Sequence, residues 1–378
     1  MIRQIISIIG VELRIITRNS GVMLILLFAP LIYAIVYSSG YAKQVVEDVP
    51  IAVIDNSQSA SSRKVIAMLN ASPYLDIKFQ TEDILRAEKL LYNRKIYGIV
   101  YIPEQYESDI ISGQQSTVSV YCDASYFLMY REIFQGFTGV ISTINQINTP
   151  PQAVICSSHT LFNPQLGYGS FIMPAILIVI LQQTAVIGIG MVGAIWRRRR
   201  LFNNYQVLPI IIAKIIVYGA IYAVIASYIL SIHYHIFDYP SIGTIMTALA
   251  VIVPYILAYI LLGIFISTLF RRAESVVVAL LWSSIPILLL SGASIPCEGF
   301  PQWLHNLGLI FPSSSAVTAY IRVESMGATI GEVRVEVVRL WLLVLIYGIL
   351  ALYAIKKRMP GRTTKLRTSN LLPLDKQA

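Results

Sequence analysis

The sequence predicts an α-helical integral membrane protein with six transmembrane helices and an α/β extracytoplasmic domain between the first and second of them. Three observations lead to this fold class. Six apolar stretches are each long enough to cross a hydrocarbon core, which needs about 20 helical residues. Basic residues collect at alternate ends of these stretches. A long segment with mixed strand and helix patterns separates the first stretch from the second.

The six apolar stretches lie at about 21–41, 169–195, 207–232, 243–270, 275–292 and 337–355. Each is predicted to be a helix, because lipid offers no hydrogen-bond partner to exposed backbone groups. The composition agrees, since charged residues make up 13% of the chain and hydrophobic residues 56%. Soluble domains usually carry about 25% charged residues. A soluble protein is therefore not expected.

The basic residues between the stretches predict the orientation of the chain. They are Arg3, Arg14 and Arg18, Arg197 to Arg200, Arg271 and Arg272, and Lys356 to Arg358. All of these fall on one predicted side, whereas acidic residues outnumber basic ones in 43–165. Positive charge marks the cytoplasmic side. We therefore expect a multi-pass protein of the inner or plasma membrane with both termini in the cytoplasm. The net charge of +9 does not predict a nucleic-acid partner.

Residues 1–20 are predicted to form a cytoplasmic amphipathic helix that lies in the interface, before transmembrane helix 1 at 21–41. Its apolar stripe comprises Ile2, Ile5, Ile6, Ile9, Leu13 and Ile16. The alternative is a cleaved signal sequence, for which 39–42 offers small residues.

Residues 42–166 are predicted to form the extracytoplasmic α/β domain. Strand patterns lie at 50–54, 74–79, 97–102 and 116–121, and helix patterns at 61–70, 82–93 and 127–145. Their alternation is typical of strands joined by helical crossovers. Cys122 and Cys156 either form a disulfide or stay as thiols, and Cys297 is left without a partner in both cases. Proximity cannot be derived from spacing.

Residues 167–356 are predicted to carry transmembrane helices 2–6, with an outer loop at 293–336 and a basic cytoplasmic tail at 357–378. The loop contains Trp303, Leu307 and Phe311, so it either lies at the membrane interface or dips into the membrane. Lys214 is near the predicted cytoplasmic end of its helix and is expected to reach the interface.

Few residues in the predicted spans are polar enough for chemistry. Gln182, Gln183, Tyr218 and Tyr222 either line a pathway or hold helices together. No span carries a carboxylate near its middle, which argues against an ion-coupled carrier. No phosphate-binding loop of the G-x-x-x-x-G-K-[ST] type is present. A Ser61 to Lys64 match to S-x-x-K lacks companion motifs, and His233, His235 and Asp238 lack a clear fourth metal ligand.

Several short motifs occur together with the six stretches in a recognisable order. They are Leu161-Phe162-Asn163-Pro164, Lys214, Ser291-Gly292, Pro296, Phe300-Pro301, Trp303-Leu304, Pro312, Tyr320-Ile321-Arg322 and Gly327. This arrangement resembles the type-2 permease family of ATP-binding-cassette (ABC) exporters, in the subgroup with a large external domain after the first span. The resemblance covers nearly the whole chain.

The resemblance implies a permease that moves its substrate outward and binds no cofactor of its own. Its partners would be a second permease chain, in a homodimer or a heterodimer, and a cytoplasmic ABC ATPase that carries ATP and magnesium. Membrane lipid would surround the chain, and a periplasmic adaptor could dock on it. The loop 196–209 would contact the ATPase through Trp196, Arg197, Arg198, Arg199, Arg200 and Phe202. The acidic-Gly-Thr sequence that is usual there is replaced by Arg-Leu-Phe-Asn-Asn.

Two alternatives remain open from the sequence. The arginine run either docks the ATPase or only fixes topology. The whole chain could instead be a membrane-anchored receptor or envelope-assembly factor that acts through its external domain. Six spans argue against this second alternative, because one or two are enough for an anchor.

Overall fold

A computed structural model describes residues 1–41, 47–122, 127–148, 168–239, 241–292 and 300–358. The chain divides into two compact units, Met1–Ala42 with Tyr168–Ala378 (unit 1), and Lys43–Gly167 (unit 2). The predicted boundaries of the inserted domain, 42–166, lie within one residue of those of unit 2.

Unit 1 is helical, and the prediction of six long apolar helices is confirmed. Helix α1 covers Ile2–Arg18. The six candidate spans are α2 (Ser20–Gly40), α7 (Tyr168–Arg198), α8 (Val207–Ile236), α9 (Ile245–Ser267), α10 (Ala273–Leu290) and α13 (Arg334–Arg358). Two shorter helices, α11 (Gln302–Gly308) and α12 (Pro312–Met326), precede α13.

Helix α7 is the central helix of unit 1. Its most apolar 18-residue window is 100% buried, compared with 28% for α2 and 17% for α10. Three glycines allow its neighbours to approach. A Cβ at Gly188, Gly190 or Gly193 would lie 2.4 Å, 2.6 Å and 2.1 Å, respectively, from side-chain atoms of α2, α10 and α9. Small residues permit such close packing of membrane helices. Helix α7 is thereby packed tightly against three other spans.

Helix α1 packs against α8 through a face that shares only part of the predicted stripe. The buried residues are Ile8, Glu12, Ile15 and Ile16. Ile2, Ile6 and Leu13 of the predicted stripe are exposed on this unit. The helix therefore has two apolar faces, one against the protein and one free. The predicted stripe combined members of both, which is why it missed the contact face around Glu12.

The predicted outer loop contains helices α11 and α12, and the turn between them reaches deep into unit 1. The hydroxyl of Tyr347 donates to the carbonyl of Ile310, and Tyr347 lies halfway along α13. Gln182, halfway along α7, bonds Ser313 at the start of α12. Non-span segments are tolerated beside spans where protein surrounds them. The turn thus packs inside unit 1, and whether the loop lies at the membrane interface or dips into the membrane stays a prediction.

Unit 2 is a three-layer α/β domain, and its predicted strands and helices are confirmed. The strands are β1 (Val49–Asp55), β2 (Leu75–Thr81), β3 (Gly98–Ile102) and β4 (Ser119–Cys122), in the order β2-β1-β3-β4. β1 is parallel to β2 and β3, and β4 is antiparallel to β3. The helices are α3 (Ala60–Asn70), α4 (Ile84–Tyr92), α5 (Tyr106–Ile111) and α6 (Phe127–Asn148).

Each face of the sheet is covered by helices. One face, with Val49, Ile51 and Val53 of β1, packs against α3, α5 and α6. The opposite face, with Ala52 and Ile54, packs against α4. Alternate residues of β1 thus enter two separate apolar clusters, as expected for a strand covered on both sides. Among the described residues Cys122 forms no disulfide, and burial raises the pKa of its thiol to about 11. Cys156 and Cys297 lie outside the described residues.

Candidate functional site

The main polar cluster of unit 1 lies where α1, α7 and α8 meet. Lys214 Nζ donates to Glu12 Oε1 at 2.5 Å, and both side chains are fully buried. The second carboxylate oxygen, Oε2, accepts from the Tyr218 hydroxyl. Lys214 Nζ also lies 4.7 Å from the centre of the Trp196 ring. We call Glu12, Lys214, Tyr218 and Trp196 the inner cluster.

The inner cluster joins helix α1 to the candidate span α8 by a buried charge pair. Burying a charge is costly unless it is paired and hydrogen-bonded. Here each oxygen of Glu12 has a donor, and Lys214 has a carboxylate and an aromatic face. The expectation that Lys214 reaches the interface is therefore wrong, because an internal carboxylate replaces solvent as its partner. Tyr218, predicted to line a pathway or hold helices together, holds Glu12.

Aromatic side chains cover the inner cluster beside the end of α7. The Trp196 ring lies 5.3 Å from that of Phe202 and 5.9 Å from that of Tyr205, between ring centres. Tyr205 in turn is 3.1 Å from Ser7 Oγ of α1. Trp196 and Phe202 are buried in unit 1. Their predicted contact with an ATPase stays a prediction, and within this chain they fix the loop to α1 and α8.

The four arginines at the end of α7 divide into two groups. Arg197 Nη1 donates to the carbonyls of Thr268, Leu269 and Phe270 at 3.1, 3.0 and 3.2 Å. These carbonyls follow the C-terminus of α9, where a cation is favourable. Arg198, Arg199 and Arg200 are exposed. Only this exposed group is available to another molecule, and we call it the arginine patch.

The polar residues at mid-length of α7 are used mainly between helices. Gln182 Oε1 accepts from the Ser313 amide at 2.8 Å, and its Nε2 donates to Ser313 Oγ at 3.2 Å. Gln182 thus caps an amide at the start of α12 that has no partner within the helix. Gln183, by contrast, has a buried Nε2 without a hydrogen-bond partner among the described residues.

The two tyrosines named with these glutamines are both buried. Tyr222 donates to Thr184 Oγ1 at 3.1 Å and meets Tyr259 edge-on, with ring centres 5.6 Å apart. Tyr218 belongs to the inner cluster. In this chain by itself, Gln182, Tyr218 and Tyr222 connect helices, and Gln183 is the member of the set with a free donor.

The structure offers no metal centre among the described residues, where no three His, Cys, Asp or Glu side chains come together. His233 bonds Ser38 Oγ of α2 through Nε2 at 2.8 Å. The His233, His235 and Asp238 pattern therefore serves as a helix contact at His233.

Glu12 is the important residue that the sequence reading missed. It is the one carboxylate in 1–20, and Lys214 is the one charged residue in 207–232. Two isolated opposite charges in apolar helices predict each other as partners, because neither is stable alone in an apolar environment. The sequence thus contained the information for this pair, but we expected Lys214 to reach the membrane interface and did not consider Glu12 as its partner.

Comparison with known proteins gives a consistent result. The model of the ABC-2 family transporter protein matches residues 20–353. The inner membrane transport permease YhhJ of Escherichia coli is 24% identical over 290 residues, which cover 71% of this chain and 75% of that protein. A Shigella flexneri protein of the same name matches equally. The probable multidrug ABC transporter permease YbhR of Escherichia coli is 27% identical over 156 residues, 40% of this chain and 42% of that protein.

Proposed function

Because this chain belongs to the ABC-2 family of transporter proteins, we propose that it is the permease subunit of an ATP-binding-cassette exporter. The chain is a multi-pass inner-membrane transport subunit; the proposal adds the energy source and the direction. A separate cytoplasmic ATPase would bind ATP and magnesium, and the chain would move its substrate outward. The chain itself would hold no cofactor.

The observation that carries the proposal is that the exposed arginine patch follows the buried Trp196 of the inner cluster along the chain. Arg198 to Arg200 are exposed, whereas Trp196 and Phe202 just beside them are buried against α1 and α8. The exposed arginines therefore follow residues that are packed firmly into unit 1. A docking surface that has to transmit force needs both properties, because an exposed contact on a flexible loop would absorb the motion.

The connections of α7 suggest how a movement at the patch would spread. The inner cluster joins the end of α7 to α1 and α8 through Trp196 and Lys214. The glycines of α7 hold α2, α9 and α10 at close distance. A displacement of α7 would thus shift five helices together, since packed interfaces rearrange as units rather than deform gradually. This is a shear mechanism, in which α7 is the transmitting element.

The same proposal accounts for the other predicted partners. A second permease chain would cover some of the exposed apolar side chains on α2, α10 and α13, such as Tyr33, Trp282 and Trp341. Lipid would cover the rest, because a hydrocarbon environment accepts such surfaces. Unit 2 would lie outside the cytoplasm, where a periplasmic adaptor could dock on it. A pathway between two chains would not use Gln182, Tyr218 or Tyr222, whose partners are internal.

Purification from native membranes tests the energy source. The tagged full-length chain should carry an ABC ATPase with it, and the complex should hydrolyse ATP, whereas the chain stripped of its partner should not. A chain that copurifies with no ATPase, or that hydrolyses ATP alone, contradicts the proposal. Direction is tested with inside-out vesicles and a panel of fluorescent amphiphiles. ATP-dependent accumulation inside them is expected for an exporter, and ATP-dependent loss contradicts it.

The same preparation separates this proposal from a receptor or assembly factor. A receptor that acts through unit 2 would keep its function when the ATPase is inactivated. Replacing the catalytic carboxylate of the copurified ATPase should abolish vesicle accumulation if the chain is a permease.

A further inference from the structure

A second polar site lies at the other end of unit 1, in a cleft formed by α10, α11, α12 and α13. Its volume is about 550 Å³. This lies within the range of about 300–1,000 Å³ that is typical of pockets for drug-sized molecules. Glu336 and Arg339 of α13 line it, and apolar walls come from Leu290, Val317 and Ile321. The cleft is at the ends of α10 and α13 opposite their basic residues, Arg271, Arg272 and Lys356 to Arg358.

The cleft contains two buried polar atoms without partners among the described residues. One is the Oγ atom of Ser315, a residue that is 2% exposed. The other is Oε2 of Glu336, whose Oε1 accepts from Arg322 Nη1 at 3.0 Å. Most buried polar groups in proteins have a hydrogen-bond partner. Ser315 and Glu336 both line the cavity, so a ligand there would be close to both unpaired atoms.

The charges in the cleft specify the chemistry of that ligand. The free oxygen of Glu336 accepts a hydrogen bond, and a cationic donor fits it best. Arg339 lies three residues further along the same helix, so the two side chains are neighbours on one face. Its guanidinium is exposed and matches a phosphate. An ammonium beside a phosphate satisfies both residues together.

The rest of the cleft fits an amphiphile rather than a fully polar solute. The wall residues Leu290, Phe300, Leu309, Val317 and Ile321 are apolar. Trp303, 68% exposed, lies beside the cleft on α11. Exposed tryptophan is characteristic of the membrane–water interface. We propose that this cleft binds the headgroup of an amphiphile that carries a primary ammonium group beside a phosphate.

The binding test uses the purified full-length chain in detergent, without an ATPase, so it is independent of the proposed transport function. Native mass spectrometry would compare retention of phosphatidylethanolamine, phosphatidylcholine and phosphatidylglycerol. Phosphatidylethanolamine should be retained best, because phosphatidylcholine has no N–H donor and phosphatidylglycerol no cation. Loss of a hydrogen bond to a charged group should lower the affinity by about tenfold, which is measured as retention at sub-saturating lipid. Equal retention of the three lipids overturns the proposal.

Three variants assign the effect to residues. Glu336→Gln should remove the preference for phosphatidylethanolamine over phosphatidylglycerol. Arg339→Met, a change at an exposed side chain, should weaken both lipids. Arg322→Met is the matched control, since it breaks the same Arg322–Glu336 bridge but leaves the carboxylate in the cleft. The preference of Arg322→Met for phosphatidylethanolamine over phosphatidylglycerol should equal that of wild type. If Arg322→Met loses this preference as fully as Glu336→Gln does, only the salt bridge matters and the proposal is overturned.

A soluble compound with the same group is distinguished by competition. Phosphorylethanolamine lacks the apolar part that would contact Val317 and Ile321. If it displaces the lipid only at large excess, the ligand is the lipid; displacement at equal concentration supports the headgroup chemistry with a soluble source. Failure to displace phosphatidylethanolamine at any concentration, with Arg339→Met also without effect, overturns the headgroup assignment.

Discussion

Two carboxylates in unit 1, Glu12 and Glu336, each form a salt bridge with a basic residue of another helix, yet their surroundings differ. Glu12 is fully buried, and both of its oxygens have donors, from Lys214 and Tyr218. Glu336 has one oxygen bound to Arg322 and one buried oxygen without a partner among the described residues. The first carboxylate is fully hydrogen-bonded within the chain, whereas the second keeps an unpaired buried oxygen in a residue that lines a cleft.

This difference separates a structural polar site from a binding site. A buried network in which every group is satisfied rigidifies its surroundings. The Glu12–Lys214 pair of the inner cluster, in which both carboxylate oxygens have donors, is therefore suited to holding α1 to α8. Trp196 contributes an aromatic face to this pair, and its Nε1 has no partner among the described residues. A half-satisfied network gains free energy when a ligand completes it, which suits the cleft for binding. Charge alone would not distinguish the two sites; the number of free acceptors does.

The largest expected effect comes from breaking the inner cluster. Lys214→Met leaves the Glu12 carboxylate buried without a counter-charge, and such changes cost about 3–5 kcal/mol. We expect a strong fall in the thermal unfolding temperature of the purified full-length chain. The measurement is a thermal-shift assay in detergent.

Removing both charges provides the control for this first experiment. The double variant Glu12→Gln with Lys214→Met replaces the pair without leaving a lone ion, so most of the lost stability should return. If Lys214→Met alone unfolds at the wild-type temperature, the pair does not hold α1 to α8.

A smaller loss is expected for Gln182→Leu, which breaks a neutral polar contact instead of a charged one. The change removes both bonds to Ser313 and leaves an amide of α12 uncapped. A loss of about 1–2 kcal/mol follows. Gln183→Leu is the matched control, because the Nε2 of Gln183 is buried without a partner among the described residues. Equal losses for the two glutamines would contradict the capping role of Gln182.

Arg322→Met should cost about 1 kcal/mol or less in stability, since the Arg322 side chain is 36% exposed and such pairs are screened by water. Chemical unfolding of Arg322→Met and Lys214→Met under the same conditions compares the contributions of the two salt bridges to stability. A cost as large as that of Lys214→Met would show that the Glu336 site is also structural.

The smallest effect concerns Glu132 in unit 2, where burial raises the carboxyl pKa and Arg131 partly lowers it again. The folded state then holds the proton more tightly than the unfolded state. Its contribution to stability is present below the ordinary pKa and is lost as the pH rises through the raised one. The stability of Glu132→Gln, measured relative to wild type, should therefore be higher at pH 8 than at pH 4. Hydrogen exchange of β1 and β3 in the full-length protein measures this, and a difference independent of pH would contradict it.

The parts of the fold that follow from local pattern were predictable. Six apolar runs and alternating strand and helix patterns gave α7 and β1 within a few residues of their observed ends. The contacts between distant segments were not. Glu12 and Lys214 are 202 residues apart, and Gln182 and Ser313 are 131 apart. Hydrophobic periodicity reports which residues are apolar on one helix, and it does not report which other helix supplies a polar partner.

The helix pair α11 and α12 was difficult to predict for a related reason. Both helices are shorter than a span, and α12 contains Ser313, Ser314 and Ser315, which are all buried. Serines at a helix start normally indicate a solvent-exposed turn. Here protein surrounds them, and Gln182 supplies the capping oxygen. The burial of these three serines depends on the helices packed around them, and the local sequence does not indicate those helices.

The most direct test of ATP coupling compares two basic triplets at the same end of unit 1. In the reconstituted complex with its ATPase, Arg198, Arg199 and Arg200 would be changed together to Ala. The control changes Lys356, Lys357 and Arg358, which are also exposed and end α13. Loss of charge-assisted contacts predicts a fall of about tenfold or more in ATPase stimulation for the arginine variant and a fall within about twofold for the control. Equal behaviour of the two variants, or full stimulation without the three arginines, would contradict the account.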